Sequence, residues 1–111
     1  MKFEKSRDGE KIRLSMPLTE FEKDDMIEGG RLVGGRHWKG DNKEYLYFPD
    51  HYQPDIGSKI CVKIVNLYVN LSTMDLVVEY KERANVDTQN RLFAHMFFSQ
   101  TLWLFKRDFM K

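Results

Sequence analysis

Between about residues 87 and 111 the chain carries apolar side chains on two opposite sides of a helical wheel, a pattern that few architectures accommodate. At about 100° per residue, Leu92, Phe93, Met96, Phe97, Trp103, Leu104 and Met110 form one broad stripe, and Phe98, Leu102, Phe105 and Phe109 form a second. One sheet covers one side of a helix. The other side then needs a second layer, a second subunit or a partner. Four large apolar side chains along an uncovered helical line would expose on the order of several hundred Å². The second stripe is therefore either enclosed by an N-terminal hairpin or paired with another copy. We assign Phe98, Leu102, Phe105 and Phe109 to a homodimer interface.

Upstream, the pattern is that of strands. Asp8-Gly9 accepts the positive φ of a two-residue hairpin loop and predicts strands over 2–7 and 10–17. In the second of these, Ile12, Leu14, Met16 and Leu18 alternate with Lys11, Arg13 and Ser15, as in a half-buried strand. Thr19 with Glu22 matches a capping box, and Gly29-Gly30 is a stop signal, so a short helix is expected over 20–28. Residues 29–43 hold five of the seven glycines and predict a long, mobile loop, interrupted by a short strand at 31–33. An aromatic strand over 44–48 follows, and Pro49, Pro54 and Gly57 punctuate the next connection.

The segment 59–71 changes phase partway. Ile60, Val62 and Ile64 are apolar at even positions, whereas Val65, Leu67, Val69 and Leu71 are apolar at odd ones. A bulge or bend near Ile64-Val65 restores a single core face. A turn over 72–75 and a strand over 76–81, with Leu76, Val78 and Tyr80 inward, lead to the last helix, whose N-cap is Asp87 or Thr88. The order β-β-α-β-β-β-α predicts one α+β domain over 1–111, a mostly antiparallel sheet of four or five strands with the last helix on one face.

A formal net charge of +1 argues against bulk electrostatic coating of nucleic acid, which leaves local patches. A single cysteine, Cys61, excludes an intramolecular disulfide. The first residues lack the apolar stretch of a signal peptide, and no apolar run approaches the roughly 20 residues of a transmembrane helix. An intracellular, cytoplasmic protein without membrane association is expected, and the Asn70-Leu71-Ser72 sequon is then incidental.

Chemical motifs are sparse. Gly30 to Gly35 has the GxxxxG spacing of a phosphate loop, but Arg36-His37 stand where Lys and Ser/Thr belong and the segment follows a helix. It reads as a connector. Arg31, Arg36, His37, Trp38, Lys39 and Lys43 mix cations with an aromatic, with Asp41 as the nearby acid. Such a set contacts phosphates while the indole stacks on a base; the alternative is a solvated loop with Trp38 folded back as an anchor. His37, Asp50, His51, Asp55, Cys61 and His95 show no metal-ligand spacing, so neither a metal site nor a cofactor is expected. Lys59 and Lys63 share a strand face with Cys61 and would lower its thiol pKa, although a strand cysteine is ordinarily a small buried hydrophobe. Glu20, Glu22, Asp24, Asp25 and Glu28 suit the solvated side of the short helix.

The leading expectation is a non-enzymatic adaptor or inhibitor module, of a kind found among viral and mobile-element proteins. It binds another macromolecule, a protein first of all, through the 29–43 loop and the acidic helix, and it self-associates through the last helix. The alternative is a nucleic-acid-binding domain using Arg31, Arg36, His37, Trp38 and Lys39, helped by Lys59 and Lys63. A third reading is a small enzyme with a composite site around His37, Asp50, His51 and Cys61.

Overall fold

A computed structural model describes residues 2–5, 11–18, 33–48, 63–81 and 91–110. They form six strands, β1 (Lys2–Lys5), β2 (Lys11–Pro17), β3 (Arg36–Gly40), β4 (Lys43–Tyr47), β5 (Lys63–Asn70) and β6 (Asp75–Lys81), and one helix, α1 (Arg91–Phe109). The strands make one sheet in the order β1-β2-β6-β5-β4-β3 with every pairing antiparallel. The α+β class holds, with six strands in place of four or five. The helix expected over 20–28, the Asp8-Gly9 turn and most of the strand expected over 31–33 lie outside the described residues.

Alternation in β2 puts Ile12 and Leu14 into the core, and Leu76, Val78 and Tyr80 of β6 lie opposite or beside them with no exposed surface. The β1–β2 register pairs Lys5 with Ile12, the pairing that a two-residue loop at 8–9 implies. In β5 the expected phase change is present: Ile64 faces Tyr80 and Asn66 faces Glu79, which leaves Val65 as the extra residue of a bulge. Ile64 before the bulge and Leu67, Val69 and Leu71 after it are consequently buried together. The turn into β6 is held by Asn70 Oδ1, which accepts from the backbone N–H groups of Ser72 (3.0 Å) and Thr73 (3.3 Å), an Asx turn.

The extra strand arises where a mobile loop was expected. Asp41 and Asn42 both adopt positive φ (46° and 62°) between paired Gly40 and Lys43, the two-residue hairpin geometry that Asp and Asn tolerate. Arg36–Gly40 thereby gains a ladder against β4. The preceding glycines serve close packing: Gly34 takes φ 91° beside Phe109, and a Cβ on Gly35 would lie 2.5 Å from Leu46 Cγ. The backbone N–H of Val33 donates to the carbonyl of Phe109 (2.8 Å), satisfying one free acceptor at the helix end.

Helix α1 lies on one face of this sheet and revises the expected pairing surface. Phe98 and Phe105 are fully buried in the core of a single chain, and Leu102 and Phe109 pack against that core. Phe48, which follows β4, sits 4.8 Å from the rings of both Phe105 and Phe109. Of the stripe assigned to a homodimer, Phe98 and Phe105 are thus covered within one chain, and Leu102 and Phe109 are covered in part. Phe97 and Leu104, members of the other stripe, are buried as well, with Phe97 against Tyr80 at 4.8 Å. The buried arc runs from Leu104 through Phe97, Thr101, Phe105, Phe98 and Phe109 to Leu102, about 160° of the wheel. Thr101, buried inside it, donates to the carbonyl of Phe97 (2.8 Å) and so leaves no hydroxyl unpaired. Among the described side chains of the helix, Met96 and Trp103 are the exposed large apolar ones, at 50% and 65%. No helix among the described residues is long and apolar enough to cross a membrane.

Candidate functional site

Because α1 covers one face, the opposite face of the sheet carries the side chains that the core does not use. Register assigns them. Arg36, Trp38 and Gly40 of β3 lie opposite Tyr47, Tyr45 and Lys43 of β4, and Tyr45 and Tyr47 lie opposite Asn70 and Tyr68 of β5. All of these occupy the far face, since the alternate residue Leu46 is paired with Val69 in the core.

Four rings join there. Trp38 stacks on Tyr45 with centroids 5.6 Å apart and planes 19° apart. Tyr45 meets Tyr68 edge-on at 5.5 Å and Tyr47 at 5.9 Å, and Tyr47 contacts Tyr68 at 5.2 Å. The row runs across three strands and ends on the edge strand β3, where Trp38 is 45% exposed. One indole face is covered by Tyr45, and its six-membered ring leans over Gly40, where a Cβ would come within 3.3 Å. Burial pushes the Tyr68 phenol up to about 12, with the charge of Glu79 adding to the effect, and burial raises Tyr47 in the same way. Both phenols stay neutral in ordinary conditions.

Charge divides along the same face. On β3 and β4 it bears Arg36 and Lys43, both exposed, and neither makes an ion pair among the described residues. The strand carboxylates of this face, Glu4, Glu79 and Asp75, sit on the other half, and Asp41 lies in the β3–β4 turn. Arg13 bridges Glu79 (3.4 Å) and Glu4 (3.7 Å), and Lys2 pairs with Glu4 at 2.9 Å. The hydrogen bond from Lys2, followed by the charges of Lys2 and Arg13, holds the Glu4 carboxyl below its usual range.

Strand geometry splits the residues that the sequence grouped. Arg36 and Trp38 share the far face, whereas His37 and Lys39 alternate to the helix side of β3. There the His37 ring meets Glu44, Nε2 to Oε1, at 2.8 Å. Arg31, Lys59, Asp50, His51, Asp55 and Cys61 lie outside the described residues, as does the acidic segment 20–28. The tyrosines were missed although the alternation of Tyr45 and Tyr47 about Leu46, and the even position of Tyr68 after the bulge, marked them as facing away from the core.

Among the described residues no three His, Cys, Asp or Glu side chains gather as metal ligands. Two surface depressions, of about 250 and 290 Å³, both mix cations with carboxylates, Arg13 and Lys11 with Glu79 in one and Lys39 and Lys43 with Glu44 in the other. No family model matches the chain, and neither a curated protein nor a solved structure is significantly similar to it.

Proposed function

We propose that this chain is a non-enzymatic binding module that engages another macromolecule through the far face of its sheet, centred on Trp38. The supporting observation is the placement of that indole: 45% exposed on an edge strand, yet held on one side by the Tyr45 ring. Large, rigid aromatic side chains whose position is already set lose little freedom on contact, which is why such residues dominate binding energetics. Trp103 is more exposed, but among the described residues it stands beside no other aromatic ring, and the Arg107 guanidinium already lies over it, 5.7 Å from the ring centroid. The far face is therefore the better anchor surface.

The test uses immobilised wild-type protein, Trp38→Ala and Trp103→Ala, each exposed to a lysate of the native host with and without nuclease. A macromolecule retained by wild type and Trp103→Ala and lost with Trp38→Ala is the expected result. Equal retention by all three, or loss with Trp103→Ala alone, refutes the assignment of the face.

A further inference from the structure

Resting on that binding face, we propose that its ligand is single-stranded nucleic acid, with one base stacked on the uncovered side of Trp38 and the adjoining phosphates held by Arg36 and Lys43. Three features of the geometry select this class. The first is shape. The aromatic row offers flat ring surface on an edge strand, and Tyr45 already occupies one side of the indole in a near-parallel stack. A planar group continues that stack on the other side. A base supplies such a group whatever its identity, because every base has a π face. An aliphatic anchor from a protein partner would ordinarily need a pocket, and the two depressions among the described residues are lined by charged residues.

The second is the placement of charge. Arg36 lies two residues from Trp38 along β3, and Lys43 lies two residues from Tyr45 along β4, all on the same face. At the rise of an extended strand this is about 7 Å, so each cation flanks the ring row along the strand direction. The third is charge sign. The carboxylates of this face, Glu4, Glu79 and Asp75, stand on β1 and β6, the first two paired with Lys2 and Arg13, so strands β3 and β4 themselves bring cations to it, with Asp41 in the turn between them. An overall charge of +1 then does not oppose local phosphate binding. Duplex is a poorer ligand, since its bases are already stacked and paired and cannot reach the indole.

The experiment titrates Trp103→Phe protein, in which Trp38 is the sole indole, with short single-stranded DNA and RNA of mixed sequence and with the matching duplex. Indole emission and the anisotropy of a labelled strand are followed together. Both single strands are expected to quench Trp38 and to bind more tightly than duplex. Two phosphate contacts give a log affinity against log salt slope of about −1.4. Adding Trp38→Ala is expected to weaken binding by at least about fivefold, the low end for one stacked base. The Arg36→Ser/Lys43→Ser pair is expected to flatten the salt slope while the far-ultraviolet circular dichroism stays that of the parent. Absent binding, binding insensitive to salt, or affinity unchanged by Trp38→Ala overturns the proposal. A nuclease-resistant protein captured in a Trp38-dependent way, with no oligonucleotide binding, overturns the ligand class and leaves the binding face standing. Loss of Trp38 dependence in both experiments removes the face as well.

Discussion

Replacing Phe105 with alanine separates a covered core from a paired surface. The side chain has no exposed area and lies among Phe48 at 4.8 Å and Phe109 at 5.5 Å. Removing a buried phenylalanine costs about 3–5 kcal/mol, through lost transfer energy and the cavity left behind. Unfolding entropy of about 2.1 cal/mol/K per residue over 111 residues comes to roughly 230 cal/mol/K. The melting temperature should therefore fall by about 13–21 °C. The assay is calorimetric or circular dichroism melting over about a hundredfold range of protein concentration, because a chain stabilised by pairing melts higher when concentrated. Trp103→Ala, at an exposed position, is expected to cost well under about 1 kcal/mol. Phe105→Leu, a milder change of about 1–1.5 kcal/mol, keeps the test open if the alanine variant does not fold. A cost below about 1 kcal/mol for Phe105→Ala, or a melting temperature that follows concentration in wild type and ceases to in the variant, would refute burial within one chain.

Deleting Val65 removes the extra residue of the β5 bulge and leaves Ile64 opposite Tyr80 and Asn66 opposite Glu79 in regular alternation, with Ile64 still on the core side. The deletion is therefore expected to cost less than about 2 kcal/mol in urea unfolding, below the roughly 2–5 kcal/mol of Ile64→Ala; a deletion as costly as Ile64→Ala would show that Val65 is not the extra residue. The Tyr68 phenol, raised to about 12 from an ordinary value near 10, keeps its proton when the unfolded chain has lost it. Stability should accordingly be complete below pH 10 and decline as pH rises from 10 to 12, by about 1–2 kcal/mol after allowance for partial exposure. Tyr68→Phe removes that part of the decline, and the late phase of the tyrosinate absorbance titration should vanish with it.

Much of the sheet was legible because its signals are local. Period-2 alternation located β2 and β6, and the parity change at Ile64-Val65 announced the bulge before any partner strand was known. Strand β3 was hidden for the opposite reason. Gly34, Gly35 and Gly40 resemble loop punctuation, whereas the backbone uses them to approach Phe109, Leu46 and the Trp38 indole. The candidate site was half legible: Arg36 and Trp38 were singled out, but their grouping with His37 and Lys39 assumed a loop, and a strand sends alternate residues to opposite faces.

What the sequence determined by itself is periodicity: that there would be an α+β domain, where its core strands lie, and that α1 would be apolar over an unusually wide arc. Only the tertiary structure decided what that arc meets. Phe48, the core residues of β5 and β6, and the backbone at Val33 and Gly34 enclose the helix well around its sides, so Phe98 and Phe105 enter the core together with Phe97 and Leu104. A wheel records the direction of each side chain from one axis. How far neighbouring elements wrap that axis depends on contacts between residues distant in the chain.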